Sequence, residues 1–211
     1  HKLAKDAFSK AIEVKPDFAI GFNARSIVNH ALGKFSDAIY DCEHALSINP
    51  RYKEALLNRA RAQQELHQYD NALKDYTKAI ALDQKYFHGF LGRAVIWKIL
   101  NHHEKALADL NKALLLDPSS ASALVNRAAI QRELERHDEC LADLQRAIAL
   151  QPDLAEAHSN LGNLFNELGR LKEAEASYSR AVALKPNFAE AHRHLALMKK
   201  FVEQDEQYTT M

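Results

Sequence analysis

The sequence predicts an all-α protein built as a stack of helical hairpins, a solenoid, and three observations carry that reading. First, the five prolines, Pro16, Pro50, Pro118, Pro152 and Pro186, are separated by 34, 68, 34 and 34 residues, all multiples of 34. The skipped slot falls at Gln84, inside LDQKYF, which otherwise reads like LDPSSA and LKPNFA. Second, small residues recur at the same period. One series is Ala4, Ala38, Ala72, Ala106 and Ala174, with Cys140 in the remaining slot; the other is Ala11, Ala45, Ala79, Ala113, Ala147 and Ala181. Larger residues stand between the two series, Phe8, Cys42, Tyr76, Leu110, Leu144 and Tyr178, with no insertion or deletion along the register. Third, Ala and Leu are abundant, whereas 211 residues hold only 6 Gly and 5 Pro, a composition that favours helix.

Taken in order, residues 1–16 form the second helix of a truncated unit. Full units follow at 19–52, 53–86, 87–120, 121–154 and 155–188, a lone capping helix at 189–203 and a frayed tail at 204–211, so that 1–203 make one array. Each unit reads as two helices of roughly 13 residues, each with an apolar stripe at helical spacing. Helices that short are marginal alone in water, so each must bury its stripe against the next. The prolines stop the second helices, and Asp17, Ser119, Asp153 and Asn187 directly after them are expected to cap the next helix. Gly33 and Gly169 fall at the inner turns, where a left-handed residue is needed, and Asn101 serves there in its own repeat.

The units are not uniform. The first four full units carry Arg at the seventh position (Arg25, Arg59, Arg93, Arg127) and Asp at the twenty-third (Asp41, Asp75, Asp109, Asp143). The fifth has Leu161 and Ser177 instead, so the two positions change together. In an antiparallel helix pair these positions face each other, which predicts charge-assisted Arg–Asp contacts inside or between adjacent units.

Several function classes are disfavoured. The charge balances at 28 basic against 28 acidic residues, so no nucleic-acid partner is expected. No apolar run approaches the ~18 residues of a membrane span, so no membrane insertion is expected. Two cysteines, Cys42 and Cys140, supply neither a disulfide framework nor a thiolate metal site, and both are read as small buried hydrophobes. Of 11 histidines, His102 and His103 sit in an inner turn, His192 and His194 point to different faces, and His158 and His192 are read as packing in the interior. Trp97 matches a packing position. No catalytic motif with His, Ser or Gly-rich spacing is found, so catalytic, metal and cofactor assignments are all none. The chain opens at His1 rather than Met, and is read as part of something longer.

The second helices follow A-x(3)-F/Y-x(2)-A-x(4)-P, as in Ala174, Tyr178, Ala181 and Pro186. This pattern, over nearly the whole chain, resembles the tetratricopeptide repeat (TPR) family. The resemblance implies a right-handed superhelix, a non-catalytic role, and a protein or peptide ligand in a concave groove lined by the first helices. Carried onto this sequence, the groove residues are Asn23 and Ile27 in the first full unit, then Leu57, Asn58, Arg61 and Gln64 in the second. The third supplies Leu91, Val95 and Lys98, the fourth Val125, Asn126 and Arg132, and the fifth Asn160 and Asn163. The middle of that groove is apolar with basic punctuation and its C-terminal end rich in amides. The family's carboxylate clamp is not matched, since its registers hold Ile27, His88 and Gly92 in place of the required residues. An asparagine ladder is only partial, at Asn58, Asn126 and Asn160. The segment 155–192 further resembles repeats found beside sugar- and sulfate-transfer domains, and 192–207 resembles the junction between bacterial tetratricopeptide arrays and a C-terminal sulfotransferase domain, which implies a substrate-recruiting arm of a larger transferase as the alternative role. Self-association through the open N-terminal end is the remaining partner expectation.

Overall fold

The structure, a computed structural model, describes residues 2–198. Lys199, Lys200 and Glu203 of the expected capping helix, and the tail 204–211, lie outside the described residues. Among the described residues the helices run α1 Lys2–Val14, α2 Ala19–Ala31, α3 Phe35–Ile48, α4 Lys53–Glu65, α5 Tyr69–Leu82, α6 Phe87–Ile99, α7 His103–Leu116, α8 Ala121–Glu133, α9 His137–Leu150, α10 Ala155–Glu167 and α11 Leu171–Leu184. A further helix, α12, is described over 189–198. The chain divides into two compact units, α1–α7 ending at Leu116 and α8–α12 beginning at Asp117.

Within each unit every helix packs antiparallel on the next, and first helices also touch first helices: α2 with α4, α4 with α6, and α8 with α10. The first helices therefore line the inner face of each stack. Close approach depends on the small positions of the period. Ala45, Ala72, Ala79, Ala106, Ala113, Ala147, Ala174 and Ala181 are all fully buried. In the N-terminal unit Ile12, Phe22, Leu46 and Leu56 fill the space between repeats, with Tyr52 and Tyr86 packed against them. In the C-terminal unit Phe165, Tyr178 and Met198 do the same.

The second helices end two residues before each proline, at Val14, Ile48, Leu116, Leu150 and Leu184. Helix α5 stops at the same place, Leu82, although Gln84 occupies the proline slot. Proline reinforces a stop that the local turn already makes: Asp83 Oδ1 accepts from Lys85 N at 2.9 Å, as Asp117 Oδ1 accepts from Ser119 N at 3.0 Å. The N-caps depart from the sequence expectation. The N-cap positions are one residue later than Asp17, Ser119 and Asp153, at Phe18, Ser120 and Leu154. Of these three only Ser120 accepts a helix N–H through its side chain, from Ala123 N at 3.3 Å. The turn after each proline is one residue longer than the sequence reading allowed, so the residue that takes the cap position at Phe18 and Leu154 is an apolar one.

Gly33 and Gly169 have φ of 70°, and Asn101 has 58°, as expected for the inner turns. The same position is left-handed in His67 and Glu135, each at 57°, which the residue types did not announce. All five sit 34 residues apart, so the hairpin geometry is imposed on whatever side chain is there.

The four Arg–Asp pairs form, all within their own repeats. Arg25 reaches Asp41 (Nη2–Oδ1 2.6 Å), Arg59 reaches Asp75 (Nε–Oδ2 2.7 Å), Arg93 reaches Asp109 (Nε–Oδ2 2.8 Å) and Arg127 reaches Asp143 (Nε–Oδ2 2.7 Å). Each is bidentate, and the four aspartates are buried. Arg25 and Arg93 also reach back to the second helix of the preceding repeat, donating to Ser9 Oγ and Thr77 Oγ1, each at 3.1 Å. In the fifth repeat Ser177 Oγ instead donates to the Glu173 carbonyl at 2.8 Å.

Cys42 and Cys140 are free and buried. Burial pushes the Cys42 thiol up to about 12 and the Cys140 thiol to about 11. His158 and His192 do not pack in the interior. Each ring uses Nε2–H to donate to the carbonyl of the proline six residues earlier, Pro152 at 3.0 Å and Pro186 at 2.8 Å. Trp97 is half-buried, with Lys105 Nζ 4.4 Å from its ring centre.

Candidate functional site

The inner face of the N-terminal unit is built by α2, α4 and α6. On α2, Ile20 and Ile27 are exposed and form an apolar stripe with Ala24 and Ala31. Asn23, by contrast, is buried: its amide donates to Tyr52 Oη at 3.3 Å, and its Oδ1 accepts from Asn58 Nδ2 at 2.9 Å. Asn23 and Asn58 thus grip each other across two repeats. Burial raises the Tyr52 phenol above its ordinary value, with the Asn23 bond opposing it. Leu57 is 5% exposed and belongs to the core around Ala60, Tyr76 and Ile96, so it offers a ligand almost no area.

Further along this face lies a pocket of about 270 Å³. Its walls are His30 of α2, Arg61, Gln64 and Glu65 of α4, and His88, Leu91, Gly92 and Val95 of α6; Tyr76 of α5 closes one side. The pocket brings together four of the expected residues: Arg61, Gln64, Leu91 and Val95. Lys98, three residues beyond Val95 on α6, is half-buried and does not line it. Tyr76 and Gly92 were not expected. Tyr76 reads in sequence only as a large spacer, and Gly92 only as a missing polar residue. The signal that could have revealed them is a tyrosine at the twenty-fourth position with Arg, not Asn, at the ninth. Burial pushes the Tyr76 phenol up to about 12, opposed by the Arg61 charge.

The inner face of the C-terminal unit is polar and already engaged. Arg132 is ion-paired with Glu167. Asn126 Nδ2 donates to its own helix at the Ser122 carbonyl, 2.9 Å away. Asn163 Oδ1 accepts from Tyr178 Oη at 2.7 Å. Val125 is 9% exposed and packs inward, whereas Asn160 is half-buried. Among the described residues, no three His, Cys, Asp or Glu side chains gather as a metal-holding group, and no helix is long and apolar enough to cross a membrane.

The tetratricopeptide repeat family models match residues 54–86 and 119–187. A TPR repeat-containing protein of Rhizobium etli is 39% identical over 57 residues, 27% of this chain and 28% of the relative's length. The chain thus spans little more than a quarter of that relative. Among solved structures, TTC0263, a thermophilic TPR protein of Thermus thermophilus, superposes with a TM-score of 0.74 at 27% identity, covering 85% of this chain and 98% of that one. YrrB, described as a TPR protein with an unusual peptide-binding site, superposes with a TM-score of 0.65 at 19% identity, covering 90% and 97%. These likenesses agree with the all-α repeat solenoid read from the 34-residue period.

Proposed function

We propose that this chain, whose repeats are tetratricopeptide repeats, is a non-catalytic scaffold that binds a protein or peptide on the inner, concave face of its N-terminal unit. The observation that carries this reading is the pocket over Tyr76. It joins an apolar wall, Leu91 and Val95, to cationic and hydrogen-bonding groups, Arg61, Gln64, His30 and His88. Next to it, Ile20 and Ile27 leave apolar area open on α2. Apolar anchors supply area and the guanidinium supplies direction, the division of labour that peptide grooves use. Fold alone does not fix function, so the weight lies on these side chains.

The test is selection of a random-peptide library on the full chain, with enriched peptides re-measured by fluorescence anisotropy against Val95→Glu and Arg61→Ala. Both positions face the groove, so circular dichroism should stay native. Enriched peptides should lose at least about tenfold in affinity on Val95→Glu. Equal binding to wild type and both variants would place the binding surface elsewhere.

A further inference from the structure

The pocket over Tyr76 has a counterpart within the same chain. Tyr76 and Tyr178 occupy the same twenty-fourth register position, three repeats apart. In the C-terminal unit the phenol is enclosed. Its O–H donates to Asn163 Oδ1 at 2.7 Å, and His194 Nδ1 lies 3.1 Å from the phenol oxygen with the imidazole edge-on, ring centres 5.3 Å apart. Because the phenol proton goes to Asn163, His194 donates through Nδ1–H.

The N-terminal unit replaces both partners. Asn163 corresponds to Arg61, and His194 to Gly92. A guanidinium carries only donors, so Arg61 cannot take the phenol proton. Gly92 has no side chain, and a Cβ built there would lie 2.4 Å from Tyr76 Cε1 and 2.8 Å from its Oη. No imidazole therefore stands against the phenol as it does over Tyr178; the Tyr76 ring itself lies against the α6 backbone at Gly92 and joins Arg61 in the wall of the pocket. Tyr76 is 1% exposed, yet among the described residues nothing accepts its hydroxyl proton. Nor does a described carboxylate lie within ion-pair distance of Arg61. On the same wall, His30 Nε2 is buried without a partner among the described residues.

We propose that this pocket receives the carboxylate side chain of an Asp or Glu in a bound peptide, with Arg61 and the Tyr76 O–H donating to its two oxygens. This rests on the reading of the inner face as a peptide-binding surface. A carboxylate is the group that satisfies both donors at once; an amide would leave the guanidinium uncompensated, and a second cation would meet it head-on. Leu91 and Val95 cover the aliphatic stem that carries the carboxylate to the phenol. A chain-terminal carboxylate would have to bring its own amide and side chain into the same space. Glu65 stands on the opposing side of the balance, a negative charge on the pocket wall, and it provides the sign test.

The experiment is an NMR titration of the full chain with N-acetyl-glutamate N-methylamide, its glutamine counterpart and N-acetyl-alanine, read at the Gly92 amide and the Arg61 Nε–H. The glutamate probe should give saturable shifts at both sites, and the glutamine probe should bind at least about tenfold more weakly. Tyr76→Phe should weaken the glutamate probe about three- to tenfold, and Glu65→Gln should tighten it about two- to fivefold. Tyr76→Phe removes one atom that makes no protein hydrogen bond among the described residues, and an unchanged thermal midpoint confirms the fold. The proposal is overturned by no saturable shift with the glutamate probe, by equal binding of the glutamine probe or N-acetyl-alanine, or by weaker binding to Glu65→Gln. Library peptides that lose binding on Val95→Glu but lack Asp and Glu would overturn this assignment and leave the scaffold reading standing. Glutamate-probe binding at Gly92 with no peptide enriched would do the reverse.

Discussion

Replacing Arg93 by Ala should destabilise the N-terminal unit by about 3 kcal/mol, far more than the ~0–1 kcal/mol of an exposed ion pair. The magnitude follows from the geometry. Asp109 is 5% exposed and accepts two bonds from Arg93, Nε–Oδ2 and Nη2–Oδ1, both 2.8 Å. Without the guanidinium, its carboxylate stays between α6 and α7 with neither of those donors, and an unpaired buried charge costs about 3–5 kcal/mol. The Arg93 side chain is itself 20% exposed, so water can enter beside the remaining carboxylate, which sets the expectation at the lower end. Asp109→Ala alone should cost about 2–3 kcal/mol, because the stranded guanidinium lies nearer solvent and keeps its bond to Thr77 Oγ1. The double variant should cost about as much as one single change, a coupling of about 2–3 kcal/mol. Urea unfolding followed by Trp97 fluorescence suits the measurement, because the single Trp of the chain lies on α6 with Arg93. A coupling below about 0.5 kcal/mol would refute the reasoning, and the pairs would then be no more than surface contacts.

Three further outcomes are expected. Glu135→Gly and His67→Gly should each raise stability by about 0.5–1 kcal/mol, since the left-handed penalty of roughly 1–2 kcal/mol exceeds the added chain entropy of glycine; the chemical midpoint measures it, and a fall in the midpoint would contradict the assigned φ of 57°. Gln84→Pro should be neutral or stabilising by about 0.5 kcal/mol, because Gln84 is exposed, holds the slot that is proline in five other units and lies beyond the end of α5; loss of helical signal on substitution would contradict the repeat register. At pH 8 neither thiol of the native chain should react with a disulfide reagent until urea unfolds it. With the Cys42 thiol near 12, its thiolate fraction is only ~10⁻⁴, so rapid native-state labelling would mean a wrongly placed cysteine.

Much of this was legible in the sequence because the repeat samples each position several times over. The Arg–Asp pairs show it best: Leu161 and Ser177 change together in the fifth repeat, which marks contact without any structure. The inner turns were legible where Gly33, Asn101 and Gly169 stand, and hidden at His67 and Glu135, whose side chains do not favour the left-handed region that the hairpin forces on them. The helix caps were misplaced by one residue, since Asp17 and Ser119 look like caps but the backbone turns one residue later. Among the groove residues, helical phase separated inner from outer faces, yet it could not tell that Leu57 and Asn23 are buried while Ile27 is exposed.

By itself, then, the sequence determined the architecture: a 34-residue period with small residues at fixed places leaves antiparallel stacking as the way for short helices to bury their stripes. What only the tertiary structure decided is which inner-face side chains remain available. Tyr76 and Tyr178 are the same residue in the same register, and nothing local separates them. Both are buried, but α12 brings His194 to the Tyr178 hydroxyl, whereas α6 brings Gly92, which has no side chain to offer the Tyr76 hydroxyl. Availability depends on groups supplied by the next repeat, some sixteen residues further along the chain, so it belongs to packing and not to any residue alone.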